Sequence, residues 1–282
     1  MTSQETLLHR LDELDRSNGG TWFDTLDERK KKEAEFHDEM RDRQKIASVG
    51  QDTYEEFYSN KRFYKTAQLS RGYFYGWIDR HAPGKVVLDF ACGDGVTALY
   101  AAKAGAALTI GIDISGVSIE NCRRSAAAAG LTERTRFIRG DAENTKLPDS
   151  SVDIIICAGV LHHLDLSYAL PEMRRILAPG GRVIALEALD YNPLIKLYRM
   201  RTPHLRTEWE KAHILSLKDL RFAKRFFNIG DVRYFHLASI FGIWASPLLP
   251  LLNGADALLT RIPGLKQLSW IFTFELLSNK KA

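Results

Sequence analysis

Residues 85–95 read KVVLDFACGDG, and the reading of this stretch decides the fold. KVVLDF (85–90) is a short apolar run of strand type that ends in an acid and an aromatic. It breaks into Gly93-Asp94-Gly95, and VTALYAAKAG (96–105) follows as a helix stopped by Gly105. A glycine-rich turn from strand to helix lets a ligand approach the backbone closely. The same alternation continues downstream. ALTIGID (107–113) reads as a second strand, and VSIENCRRSAAAAG (117–130) as a helix with Ser115 as N-cap. TRFIRGD (135–141) and SVDIIICAG (151–159) read as strands three and four. SYALPEMRRILAPGG (167–181) is predicted to be a helix ending in Pro-Gly-Gly, and RVIALEAL (182–189) the fifth strand. Strands apolar on both faces and separated by helices predict an α/β fold with a doubly wound parallel sheet.

Around this block the pattern changes. The first 62 residues read as helical, charged and mostly exposed, with KKKEAEFHDEMRDRQK (30–45) a charge-laced helix. An aromatic stretch from Tyr54 to Trp77 follows and must pack on something. Beyond 190, DVRYFHLAS (231–239) and SWIFTFELL (269–277) are β-rich and predict a terminal strand pair. Between them lies an apolar, partly helical insertion.

Composition narrows the class. The 282 residues are 45% hydrophobic and 26% charged, which excludes collagen-like and wholly disordered chains. Cys92, Cys122 and Cys157 contain no CxxC pair, so neither a disulfide framework nor a zinc site is expected. That and an N-terminus without an apolar signal core point to a reducing, cytoplasmic setting. Residues 1–62 hold 11 Lys/Arg against 15 Asp/Glu, 63–190 hold 14 of each, and 191–282 hold 14 against 6. The basic excess therefore sits at the C-terminal end, beside the greasy run LASIFGIWASPLLPLL (237–252). Pro247 and Pro250 and its length argue against a membrane span but leave peripheral membrane contact open.

Three acids fall at the ends of successive strands: Asp89, Asp113, and the first acid of Asp141-Ala142-Glu143. Asp113 stands where an acid grips a ribose diol. A phosphate-binding GxxxxGK[ST] loop is absent, and a pyrophosphate on this turn would meet Asp89 and Asp94. A ligand with an ammonium, a sulfonium, a ribose and an adenine suits the acids instead, namely S-adenosylmethionine. Taken singly, Asp89 also reads as a partner of the helix dipole, and Asp113 as a helix cap.

VVLDFACGDG, IGIDIS, GDAENTKLPDSSVDIIICAGVLHHL and RRILAPGGRVIALE together resemble the motifs of class I S-adenosylmethionine-dependent methyltransferases. The branch of ubiquinone/menaquinone-biosynthesis and small-molecule methyltransferases is most similar. The resemblance covers about 85–189 and implies a Rossmann-like, seven-stranded, mostly parallel sheet with an antiparallel last strand. It also implies that Asp89, Ala91, Gly93 and Gly95 line the methionine end of the cofactor. Asp113 would take the ribose, with Ile114 against the adenine. Asp141 and Ala142 would meet the adenine edge, and Cys157, Ala158 and Gly159 would face the methyl. The product would be S-adenosylhomocysteine.

Since the reactive methyl belongs to the cofactor, the protein must align a nucleophile and exclude water. A hydroxyl acceptor needs a base, and His162 and His163, directly after strand four, are candidates. A ring stacked on the cofactor is the alternative for them. Glu187 is a second candidate, or else a buried acid paired with a base. No metal is expected from His162, His163 and Asp165. Substrate choice is assigned to the additions: a helical N-terminal lid (1–80) and insertions at 190–230 and 240–268 on the methyltransferase domain (81–282). Tyr64, Tyr73, Tyr191, Arg201 and Trp244 are the candidate acceptor contacts. They suit a hydrophobic or aromatic small molecule methylated on oxygen, with carbon and nitrogen open. A nucleic-acid methyltransferase is opposed by the lack of an RNA-binding module and of an NPPY-like motif after strand four. A non-catalytic, membrane-peripheral binding protein is opposed by the intact acids, and homodimerisation is left open.

Overall fold

The computed structural model describes residues 3–18, 20–50 and 66–281. Seven strands form one sheet in the order β3-β2-β1-β4-β5-β7-β6. They are β1 (Val86–Phe90), β2 (Leu108–Asp113), β3 (Thr135–Arg139), β4 (Val152–Ala158), β5 (Leu177–Ala188), β6 (Phe227–Phe235) and β7 (Ile271–Ser278). β1 to β5 pair in parallel, and β7 runs antiparallel between β5 and β6. The seven-stranded α/β expectation therefore holds. After β3 the chain crosses to the far side of β1. This reversal of strand order opens a crevice at the carboxyl ends of β1 and β4, the place where such sheets bind ligands.

Eleven α-helices are present among the described residues: α1 (Ser3–Ser17), α2 (Glu28–Arg41), α3 (Arg43–Val49), α4 (Gln68–His81), α5 (Val96–Lys103), α6 (Gly116–Ala128), α7 (Leu166–Ile176), α8 (Pro193–Arg201), α9 (Glu208–Ala212), α10 (Leu217–Ala223) and α11 (Leu249–Leu259). Period-two alternation along the strands sorts side chains to two faces. Leu88, Phe90, Ile155, Val183 and Ala185 meet α1 and α7 on one face. Val87, Ile154, Ile156 and Ile184 meet Phe74, Trp77 and Ile78 of α4 on the other.

The structure corrects four readings. The N-terminal segment is not mostly exposed: Leu7, Leu11 and Leu14, at helical spacing on α1, are buried in the main core beside Ile138 of β3. The helix read over 30–45 is broken at Asp42, which caps α3 by accepting from Gln44 N and Lys45 N. Pro-Gly-Gly does not end a helix. α7 stops at Ile176, Leu177 already pairs with Val152, and the Pro-Gly-Gly residues form an irregularity inside β5 before pairing resumes at Arg182. β6 starts at Phe227 and ends at Phe235, short of Ser239. No helix among the described residues is long and apolar enough to cross a membrane.

Candidate functional site

The turn after β1 holds Gly93 at φ 53° and Gly95 at φ 71°, and even Ala91 sits at φ 55°. A Cβ at Gly95 would lie 2.7 Å from Cys122 Sγ, so glycine is required both for the conformation and for the packing of α6. Asp113, at the end of β2, clamps this turn. Its Oδ2 accepts from Gly93 N at 2.7 Å and its Oδ1 from Ser115 N at 2.9 Å. The cap of α6 is Ser115 itself, whose hydroxyl accepts from Ser118 N.

A cavity opens beside this clamp. Its floor is Ala91, Asp113, Ile114, Asp141, Ala142, Glu143, Gly159 and Val160, all at carboxyl ends of strands or just beyond. Its roof is α2, which supplies Arg29, Lys30, Glu33, His37 and Arg41. Lys30 Nζ donates to Asp141 Oδ2 at 2.8 Å and lies 3.0 Å from Glu143 Oε2. Burial alone would lower the lysine's pKa, but these two carboxylates carry it above the usual value. Arg29 forks onto Glu143 at 2.6 and 2.7 Å. Arg41 donates to Ser118 Oγ at 2.8 Å and stands 3.7 Å from Asp113 Oδ1. These side chains leave about 70 Å³ of free space, well under the roughly 300–1,000 Å³ of a typical ligand pocket. Charged residues on α2 thus face inward onto acids 72 to 114 positions away, an inward face that the sequence does not reveal.

A second cavity, of about 230 Å³, adjoins the first at Gly159. It is walled by Ala158, Leu186, Ala188, Ile271, Phe74 and Tyr75, with Arg71, His162 and Glu187 as its polar groups. His162 Nδ1 is 2.8 Å from Glu187 Oε2, and Glu187 Oε1 accepts from Val160 N and Leu161 N at 2.8 Å. Burial opposes a charge on His162, yet the Glu187 carboxylate raises its pKa. Glu187 is therefore a buried acid that orients a histidine.

The two histidines part company. His163 faces the first cavity and lies 3.2 Å from Glu33 Oε2. Burial and then the His162 charge lower its pKa to about 4. Glu33, His37 and His163 carry donor atoms within 4.8 Å of one another, as do His162, His163 and Glu210. The Glu33–His163 contact is a normal hydrogen bond. Burial works against a charged Glu33, but bonds from His163 and His37 hold its carboxyl well below the ordinary range.

Other expected residues lie elsewhere. Asp89 is buried and lines neither cavity. Its Oδ2 accepts from Ala98 N at 2.8 Å, so it points into the N-terminal turn of α5, and burial raises its pKa to about 8. Cys157 is in the core, because alternation along β4 turns it away from the crevice that Ala158 and Gly159 reach. Tyr73 donates to Asp231 Oδ2 on β6, and Tyr191 accepts from Leu217 N. Arg201 and Trp244 are exposed and line neither cavity, and Tyr64 lies outside the described residues.

Residues 87–181 match a family model described as a methyltransferase domain. The ubiquinone/menaquinone biosynthesis C-methyltransferase of Geotalea daltonii is 38% identical over 111 residues, covering 38% of this chain and 47% of that protein. The 27-O-demethylrifamycin SV methyltransferase of Amycolatopsis mediterranei is 34% identical over 101 residues, covering 36% and 37%. The chain spans less than half the length of these curated relatives. Among solved structures, the geranyl diphosphate C-methyltransferase of Streptomyces coelicolor A3(2) superposes with a TM-score of 0.56 at 16% identity, covering 76% of this chain and 82% of that one. The magnesium protoporphyrin IX methyltransferase of Synechocystis PCC 6803 gives 0.53 at 20% identity, covering 84% and 98%. These likenesses establish the shared fold.

Proposed function

We propose that the protein is a class I S-adenosylmethionine-dependent methyltransferase, a reading supported by the match of residues 87–181 to a methyltransferase domain, and that it methylates a hydrophobic or aromatic small molecule, with oxygen the favoured acceptor atom. One observation carries the reading. A cavity floored by Asp113 and Asp141 meets, at Gly159, a mostly apolar cavity whose polar groups include a histidine–glutamate pair.

The residues fit the cofactor. Asp113 presents a buried carboxylate to a ribose diol, Ile114 offers an apolar surface to adenine, and Asp141 can accept from the adenine amine that would take the place of Lys30. Ala91, Gly93 and Gly95 shape the turn beneath the methionine end, and Arg41 above Gly93 is placed for its carboxylate. When bound, S-adenosylmethionine supplies an electrophilic methyl on sulfonium sulfur. The chain's own part is alignment and proton removal. Leu186, Ala188, Ile271 and Phe74 exclude water from the acceptor. His162, fixed by Glu187, takes the proton of an acceptor hydroxyl at its Nε2. α2 acts as the lid, and its cations must leave the acids for the cofactor to enter.

The test is methyl transfer from labelled S-adenosylmethionine to a panel of phenols, quinols and apolar carboxylic acids, run with wild type and His162→Gln. Transfer to oxygen that falls by about 100-fold in the variant supports the reading. Transfer that ignores His162 points to a carbon or nitrogen acceptor. Tight cofactor binding with no transfer to any of the panel would overturn the proposed substrate class.

A further inference from the structure

The C-terminal insertion exposes an apolar surface that neither cavity uses. Ten of the thirteen exposed large apolar side chains among the described residues fall between Leu194 and Leu268. Trp244 is 70% exposed, Leu251 72%, Leu258 66% and Met200 77%. Their spacing is regular. Leu251 and Leu258 stand two turns apart on one face of α11, with Leu248 one turn before them, and Leu197 and Met200 are one turn apart on α8. The opposite side of α8, Ile195 and Tyr198, packs with Ile240 and Ile243. Gly242, in the same turn, lies against Leu249 of α11. The two helices therefore flank one turn, and each turns apolar side chains to solvent.

The charge pattern is as telling. From 237 to 260 the only ionisable side chain is Asp256. It is buried, accepting from Leu237 N, Ala238 N and the Ser239 hydroxyl. Twenty-four consecutive residues thus present no charge to solvent. The exposed charges on and next to these two helices include Arg201 at the end of α8 and Arg261 just past α11, while Lys196 is offset by Asp190 at 3.3 Å. A monomer surface seldom exposes so many large apolar side chains along one segment unless they are used.

We propose that this face docks on an anionic phospholipid surface, with α8 and α11 lying in the interfacial plane and Trp244 as an aromatic anchor. A cationic border complements anionic headgroups. Pro247 and Pro250 and the 11-residue length of α11 suit a helix that lies on a bilayer rather than one that crosses it. The placement also has a use. Ala188 and Ile271, which wall the second cavity, pack in the cluster beneath this face, so docking would hold that cavity close to the leaflet.

The test is cosedimentation of the full chain with vesicles of phosphatidylcholine alone and of phosphatidylcholine with one quarter phosphatidylglycerol, alongside light scattering for oligomeric state. It needs neither cofactor nor acceptor, so it stands or fails apart from the methyl-transfer reading. Wild type should bind the anionic vesicles and prefer them to neutral ones. W244S/L251S/L258S should lose binding by at least about 100-fold, and R201Q/R261Q by about 25-fold. All five side chains are exposed, so each variant should unfold at the wild-type temperature. Absence of vesicle binding, equal binding by the triple variant, no preference for anionic lipid, or a dimer that the triple variant dissociates would each overturn the proposal.

Discussion

Replacing Asp113 with alanine tests the cofactor clamp most directly. The carboxylate is buried and makes two bonds to the chain, from Gly93 N at 2.7 Å and Ser115 N at 2.9 Å. It is also the acid proposed for the ribose. Losing a charged hydrogen-bond partner costs about 1.5–3 kcal/mol, so the dissociation constant for S-adenosylmethionine should rise roughly 10- to 150-fold. The variant should also be less stable, because two buried amide donors lose their acceptor at about 1–3 kcal/mol each. Titration calorimetry reads the first effect. Thermal melts with cofactor at 100 times the wild-type dissociation constant read both. Wild type should gain about 2.7 kcal/mol and a variant weakened 100-fold only about 0.4. At ~2–4 °C per kcal/mol these are shifts of about 5–10 °C and about 1 °C. Leu11→Ala separates lost stability from lost binding. Leu11 is fully buried on α1, far from the clamp in sequence, and its truncation should cost about 2–5 kcal/mol with cofactor affinity unchanged. Wild-type affinity in D113A, or equal loss of affinity in L11A, would refute the assignment of Asp113 to the ribose.

Lys30→Ala removes the cation that holds Asp141 and Glu143, and cofactor affinity at low salt should rise by about three- to tenfold. A weakened affinity would show instead that Lys30 fastens the lid over bound cofactor. Glu187→Gln keeps the acceptor for Val160 N and Leu161 N but removes the charge that raises the His162 pKa. The ascending limb of kcat against pH should therefore move to lower pH, and kcat on a hydroxyl acceptor should fall by about tenfold or more; an unmoved limb would exclude His162 as the base. His236, bonded to Ser70 and Ser239, has its pKa lowered to about 4 by burial. Its unfolded form takes a proton below about pH 6.5 that the native form refuses until about pH 4. Its contribution is fully present above pH 6.5 and is lost as pH falls, by about 3 kcal/mol at pH 4. Urea unfolding from pH 7.5 to 4.5 should show this slope, and His236→Asn should flatten it relative to wild type.

Within the first cavity, what can be read from sequence and what cannot divide along a physical line. The turn 91–95 and the acids at 113 and 141 follow from local pattern, because strand ends and glycine stereochemistry are properties of neighbouring residues, whereas the wall at 158–159 is what the resemblance to the methyltransferase motifs implies. α2 gave no such signal. Its residues are polar on almost every side, which reads as a solvated helix. Only the fold brings Lys30 to Asp141, Arg29 to Glu143 and His163 to Glu33. A charge on a buried face looks the same in sequence as a charge in water until its partner is placed.

The same division accounts for the displaced side chains. Asp89 ends a strand beside a glycine turn, a position that in sequence points to the ligand. The backbone geometry of that turn instead delivers Ala98 N to its carboxylate. Cys157 and Ala158 are adjacent in sequence but fall on opposite faces of β4, and only the sheet's register with β5 shows which of them meets the crevice. Tyr73, Tyr191, Arg201 and Trp244 were chosen by residue type, and residue type does not determine where an insertion folds. Short-range periodicity is enough to show the alternation of strands and helices along 85–189 and the acid-rich turn at the carboxyl edge, and the resemblance adds the seven-stranded sheet with its antiparallel last strand. The tertiary structure decided which charges close the cavity, which histidine is oriented for proton transfer and which apolar residues remain facing out, since each depends on partners far apart along the chain.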